Sequence, residues 1–196
     1  MGNRKYNYAS CGCTGCCSLS DTQQVDNLPY RKDSMIPIVS IVGKSDAGKT
    51  TLIEKLIPEL KRRGYRVATI KHDAHRFEID HPGKDSYRHF HAGADWTVIG
   101  SPDKIANVRR LERELTLDEI AAQISGVDII LTEGYKREAR RRIEVSRRAR
   151  ATELISRPDE LFAIAADYPI EWRVPVYGLD DAAGLVDLIE REVLKK

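Results

Sequence analysis

The chain has 196 residues, 41% of them hydrophobic and 32% charged, and its 32 Lys and Arg nearly cancel 30 Asp and Glu to leave a formal charge of +2. This length suits one domain with a short appendage and excludes a two-enzyme fusion, while the composition supports a buried core and excludes a disordered chain. No global field draws in nucleic acid, and no apolar run approaches the roughly 18 residues of a membrane span, so neither partner is expected and the expected compartment is the cytoplasm.

The first 34 residues show neither helical nor strand periodicity. They lack the apolar stretch of a signal peptide, and Tyr6 stands where an N-myristoylation motif requires Ser or Thr. Cys11, Cys13, Cys16 and Cys17 lie too close together to staple distant parts of a fold. Four thiols can capture a soft metal, but the spacing C-x-C-x-x-C-C departs from paired C-x₂-C knuckles. Residues 1–34 are therefore expected to be a flexible, dispensable extension, so that a chain beginning at Met35 keeps its fold and its activity.

The domain is expected over 35–196. Ile36–Val42 is an apolar, β-branched run that predicts a buried strand, and Thr50–Arg63 predicts a helix with Leu52, Ile53, Leu56, Ile57 and Leu60 on one side, kinked or strained at Pro58. Gly64 stops that helix and Arg66–Ile70 resumes as strand. A polar, His-rich loop follows from Lys71 to Asp85, turning at Pro82-Gly83, before a short helix over Ser86–Ala92. Trp96–Gly100 and Ile105–Arg109 read as strands, and Thr116-Leu117-Asp118-Glu119 as a capping box opening a helix to about Ile124. Strands are expected at Asp128–Thr132, Ile143–Ser146, Leu161–Ala165 and Val174–Tyr177, then a helix from Ala182 to Leu194. The alternation predicts an α/β fold, a P-loop NTPase-type mostly parallel sheet flanked by helices.

Gly43-Lys44-Ser45-Asp46-Ala47-Gly48-Lys49-Thr50 fits G-x-x-x-x-G-K-[ST] between the first strand and the first helix, where its chemistry requires it. Gly43 and Gly48 let successive backbone N–H groups turn inward on phosphate oxygens, and the helix N-terminus adds partial positive charge. Lys49 is placed to neutralise the β and γ phosphates, Thr50 to ligate Mg²⁺ and Thr51 to bond a further phosphate. A carboxylate is needed opposite the loop to hold the metal or orient water. Glu133, at the end of the strand Ile129–Thr132, is the first candidate, and Asp73, after the second strand, the other. Lys44 adds a second lysine, which resembles the GKGGxGKT loop of the dimerising SIMIBI class of ATPases and GTPases, in which it reaches a nucleotide across the subunit interface. Ser45-Asp46 replaces the paired glycines of that class, and a solvated lysine is the other reading.

Lys71-His72-Asp73-Ala74-His75, Phe77-Glu78-Ile79-Asp80, Pro82-Gly83-Lys84-Asp85-Ser86 and Thr132-Glu133-Gly134-Tyr135-Lys136, taken with the phosphate loop, resemble the MobB-type GTP-binding proteins of molybdopterin guanine dinucleotide biosynthesis. The resemblance spans Ile36 to the C-terminus. It implies GTP and Mg²⁺ as ligands, slow hydrolysis, a homodimer, and assistance to a MobA-type guanylyltransferase that joins GMP to molybdopterin. On that reading His72, His75, Asp80, Pro82, Gly83, Lys84, Asp85, Ser86, Arg88 and Lys136 form a segment that meets the partner, or the molybdopterin cofactor or its carrier, beside the nucleotide.

Other readings stay open at this point. The histidines, with His81, His89 and His91, suggest a nickel-type metallochaperone GTPase, although their spacing defines no ligand set. A P-loop small-molecule kinase would need a nucleophile pocket and a mobile arginine lid, for which the segment Arg137–Arg150 could be mistaken; the basic stretch Lys136–Arg150 reads as an anionic-partner surface or as a solvated loop and edge strand with protective charges. No Asn-Lys-x-Asp run is present to read guanine, and Asp167 and Asp180 are the residues assigned to accept its N1 and N2 protons by analogy.

Overall fold

In the computed structural model, which describes residues 35–73, 77–135, 137–138, 140–150 and 152–195, the first apolar run forms β1 (Ile38–Val42), every residue of it buried. Chain order continues with α1 (Lys49–Arg62), β2 (Val67–Lys71), α2 (Asp85–His91), β3 (Trp96–Gly100), β4 (Ile105–Arg109), α3 (Leu117–Ala121), β5 (Ile129–Glu133), β6 (Arg142–Ser146), β7 (Leu161–Ala166), β8 (Val176–Gly178) and α4 (Ala182–Ile189). Six strands form one parallel sheet in the order β2-β5-β1-β6-β7-β8. The continuous apolar runs of β1 and β5 follow from their place inside it, covered on both faces.

On one face, Val39, Ile41, Leu131, Ile143 and Val145 pack against Leu52, Leu56 and Leu60 of α1 and Leu185 and Ile189 of α4. On the other, Ile38, Ile70 and Ile130 meet Leu117 and Tyr135. Each such fully buried Leu or Ile contributes about 1.5–3 kcal/mol. α1 runs unbroken through Pro58, which stands on its exposed side. Arg63 fastens α1 to α4: its Nη1 donates to Asp187 at 2.5 Å and to Glu190 at 2.6 Å, and its Nε to Glu59 at 2.7 Å. The expected capping box is present, with Glu119 N–H on the Thr116 hydroxyl and Thr116 N–H on the Glu119 carboxylate, although α3 stops at Ala121 rather than Ile124. The last helix is likewise shorter, passing at Glu190–Leu194 into a π-helical turn.

β3 and β4 are strands with the expected bounds, and among the described residues they lie outside the main sheet and pair with each other, as an antiparallel hairpin. The reason is the short connection 101–104, closed by Ser101 N–H on the Lys104 carbonyl at 2.8 Å; a parallel neighbour would need a crossover of about a dozen residues. The edge-strand reading of the basic stretch is corrected: β6 lies between β1 and β7, with Ile143–Ser146 buried. Its arginines are confined to the two ends of the strand, where the chain leaves the sheet. The extension 1–34, with its four cysteines, and the residues His75 and Lys136 lie outside the described residues.

Candidate nucleotide site

The loop 43–48 leaves the carboxyl end of β1 and closes directly onto α1. Gly43 has φ +147, and a Cβ there would stand 2.5 Å from the backbone oxygen of Val145 on β6, so only glycine fits the approach of the two chains. Gly48, at φ +98, is the N-cap of α1, whose first N–H groups have no intrahelical partner. Ala47 is buried, while Ser45 and Asp46 are exposed on the loop's crest. The Lys49 ammonium donates to the Lys44 carbonyl at 2.9 Å, on the loop's rim. Lys44 faces Glu153 of its own chain at 3.6 Å.

The parallel register aligns Ile41 of β1 with Glu133 of β5 and thereby delivers the carboxylate beside the loop. The Thr50 hydroxyl lies 2.9 and 3.0 Å from the two Glu133 oxygens. A hydroxyl and a carboxylate converging at a helix N-terminus are hard oxygen donors of the kind Mg²⁺ takes from a protein, the remainder of its shell being water and phosphate. Asp73 follows β2, one strand further from β1 than β5, so Glu133 holds the position nearer the loop.

Glu133 is itself held from behind. The His72 N–H donates to the Glu133 carbonyl at 2.9 Å, and the His72 ring packs on Tyr135 at 4.8 Å and bonds Glu114 Oε1 at 2.8 Å. Gly134 permits this contact, since a Cβ there would lie 3.2 Å from the His72 Cβ. Burial pushes the Tyr135 hydroxyl above its ordinary pKa.

On the other side of the loop, a cleft of about 740 Å³ is lined by Gly48, Thr51, Lys55, Arg147, Asp167 and Asp180, among others. The ends of β7 and β8 bring the two aspartates to it. Asp167 Oδ1 accepts from the Arg148 N–H at 2.7 Å, and Asp180 Oδ1 from Lys55 at 2.5 Å, a bond that lowers the Asp180 pKa. Lys55 and Arg147 belong to this cleft and were not singled out by sequence pattern. An isolated lysine on a helix carries no signal, and Arg147 is hidden in a run of arginines.

The segment Asp80–Ser86 is folded on itself, apart from the cleft's lining. Asp80 is bonded by the Ser86 side chain and accepts the His81 N–H at 2.8 Å, and these contacts lower its pKa. Lys84 N–H on the His81 carbonyl closes the turn through Pro82 and Gly83, the latter at φ +92. Lys84, Asp85 and Arg88 are exposed, with Arg88 3.7 Å from Asp85. Among the described residues, no three His, Cys, Asp or Glu side chains are grouped to hold a metal ion.

A glycine-lysine-threonine loop between the inner strand β1 and its following helix, on a parallel six-stranded sheet covered on both faces, defines a P-loop-type α/β protein. The sequence profile of MobB, Molybdopterin guanine dinucleotide synthesis protein B, matches residues 38–167, and the chain belongs to that family. The molybdopterin-guanine dinucleotide biosynthesis adapter protein of Haemophilus influenzae is 34% identical over 160 residues, 81% of this chain and 90% of that protein. The adapter protein of that name in Escherichia coli is 37% identical over 166 residues, 80% of this chain and 93% of its own length. A crystal structure of molybdopterin-guanine biosynthesis protein B superimposes with a TM-score of 0.62 at 31% identity, covering 79% of this chain and 98% of that one.

Proposed function

We propose that this protein is a GTP-binding adapter of molybdopterin guanine dinucleotide biosynthesis, a weak GTPase that works as a homodimer with a MobA-type guanylyltransferase. The observation that carries the nucleotide reading is the Thr50 hydroxyl set on both oxygens of Glu133 at the mouth of the loop. The adapter role rests on family membership and on the names of the relatives.

In this reading the loop's N–H groups and Lys49 take the β and γ phosphates, and Thr51 bonds a further oxygen. Thr50 and Glu133 would hold Mg²⁺, which when bound neutralises charge on those oxygens. Glu133, engaged with Thr50, would position the metal for the transition state. The cleft then receives the nucleoside, where the carboxylates of Asp167 and Asp180 face the guanine N1 and N2 donors; adenine presents no such pair.

The hairpin supports the dimer. Its apolar residues are exposed, Trp96 at 56% and Ile105 at 72%, with Val98 and Ile99 beside them, on a two-stranded ribbon that is marginal without a cover. A second copy of the same hairpin supplies one. The exposed cations Lys84 and Arg88 suit the phosphate of a pterin ligand or an acidic patch of the guanylyltransferase.

Titration of GTP, ATP and CTP into the protein, with and without Mg²⁺, tests the reading. GTP is expected to bind most tightly and only with Mg²⁺ at full affinity, and Lys49→Ala to abolish the binding. Indifference to base removes the guanine assignment, and indifference to Lys49 removes the site.

A further inference from the structure

The β6–β7 connection passes beside the phosphate loop, and two ion pairs join them: Lys44 to Glu153 at 3.6 Å and Arg150 Nη2 to Asp46 at 3.9 Å. A third pair within the site sets Arg147 Nε 3.5 Å from Asp167 Oδ2. All are long, and their side chains are between one-third and nine-tenths exposed, the regime in which ion pairs contribute little. The connection is held elsewhere. Its near end is β6, clamped between β1 and β7, and further along the Glu144 carboxylate, 1% exposed, accepts the N–H groups of Ile155 at 2.6 Å and Ser156 at 3.0 Å. The backbone is thus fixed beside the loop while its cations are only loosely committed.

Among those cations Arg147 has a distinct place. The register that sets Val42 against Glu144 also brings the Val145 carbonyl against Gly43 and Arg147 alongside Gly48. The Arg147 Cδ lies 3.8 Å from where a Cβ on Gly48 would stand, so its stem lies close to the last glycine of the loop. It lines the same cleft as Thr51 and Asp167. Arg148 instead lies over the Tyr168 ring at 5.6 Å, and neither it nor Arg150 is among the cleft's lining residues.

We propose that Arg147 is a second phosphate-binding cation of this site: it exchanges its loose pair with Asp167 for the phosphate oxygens of the nucleotide, freeing Asp167 Oδ2 for the base. The inference rests on the nucleotide reading above and extends it. A triphosphate carries about four negative charges; one Mg²⁺ and Lys49 offset about three, and one guanidinium completes the balance with a fork suited to two phosphate oxygens.

The test measures affinity for Mg·GTP and for Mg·tripolyphosphate, which has no base, in wild type and in Arg147→Ala, Arg147→Gln and Arg147→Lys, with Tm recorded for each. Arg147→Ala and Arg147→Gln are expected to lose about tenfold or more for both ligands at unchanged Tm, and Arg147→Lys to recover most of it. Glutamine keeps most of the stem beside Gly48 and separates lost charge from lost packing. Arg147→Ala and Arg147→Gln that bind Mg·GTP as tightly as wild type does, or a loss confined to GTP with tripolyphosphate untouched, overturn the proposal and leave the nucleotide reading standing. A wild-type protein that binds neither ligand overturns both.

Discussion

Gly43→Ala isolates the contact on which the loop's geometry depends. An alanine Cβ would sit 2.5 Å from the Val145 oxygen, a backbone atom of β6 that cannot swing aside as a side chain can. Ordinary C···O contacts begin at about 3.3 Å, so β1 and β6 must part by about 0.8 Å at this end. The positive φ of +147 adds about 1–2 kcal/mol for a residue with a Cβ, and the strained packing about 1–3 kcal/mol more. A central figure of about 3 kcal/mol corresponds to a fall in Tm of about 6–12 °C in a domain of this size. Gly64→Ala is the control, because its φ is +88 but nothing lies within 4 Å of its Cβ position; it should cost about 1 kcal/mol, or about 2–4 °C. Thermal unfolding followed by circular dichroism compares the two. A Gly43→Ala drop no larger than that of Gly64→Ala refutes the crowding at β6.

Thr50→Ala should weaken GTP binding in Mg²⁺ while leaving metal-free binding little changed, and equal losses in titrations with and without Mg²⁺ count against metal ligation. Glu133→Gln should slow hydrolysis more than it weakens binding, as read from turnover against affinity; wild-type turnover takes the carboxylate out of the site. Glu59 is held at a pKa of about 2, below its ordinary 4.5, first by the Arg62 guanidinium and then by Arg63. Its contribution to stability is therefore complete above about pH 4.5 and is lost as pH falls through about 2. Tm measured from pH 6 to 2 should fall less steeply for Glu59→Gln than for wild type, and parallel curves contradict the pairing.

The phosphate loop was legible because its chemistry is carried by contiguous residues between two elements whose periodicities are themselves clear. Glu133 was legible for a related reason, since an acid ending an apolar strand arrives at the carboxyl edge of a parallel sheet. Sheet membership was not. Trp96–Gly100 and Ile105–Arg109 have ordinary strand composition, and whether they join the main sheet depends on a four-residue connection and on the partner each edge finds. The arginines flanking β6 suggested an edge, whereas the residues between them form an inner strand. Glu144 gave no signal at all: its burial is balanced by two N–H groups of a segment beyond the strand, a tertiary contact with no trace in spacing. Asp167 and Asp180 follow separate strands and meet only because β7 and β8 are neighbours in the sheet.

The most direct measurement of the central claim is the yield of molybdopterin guanine dinucleotide made by a purified MobA-type guanylyltransferase from molybdenum cofactor and Mg·GTP, with this protein added or withheld. Wild-type protein is expected to raise the yield, and Lys49→Ala, folded to the same Tm but unable to hold the triphosphate, to leave it at the level of the transferase alone. A yield that does not respond to the wild-type protein contradicts the adapter reading, and an equal rise with Lys49→Ala contradicts the claim that the adapter works through its bound nucleotide.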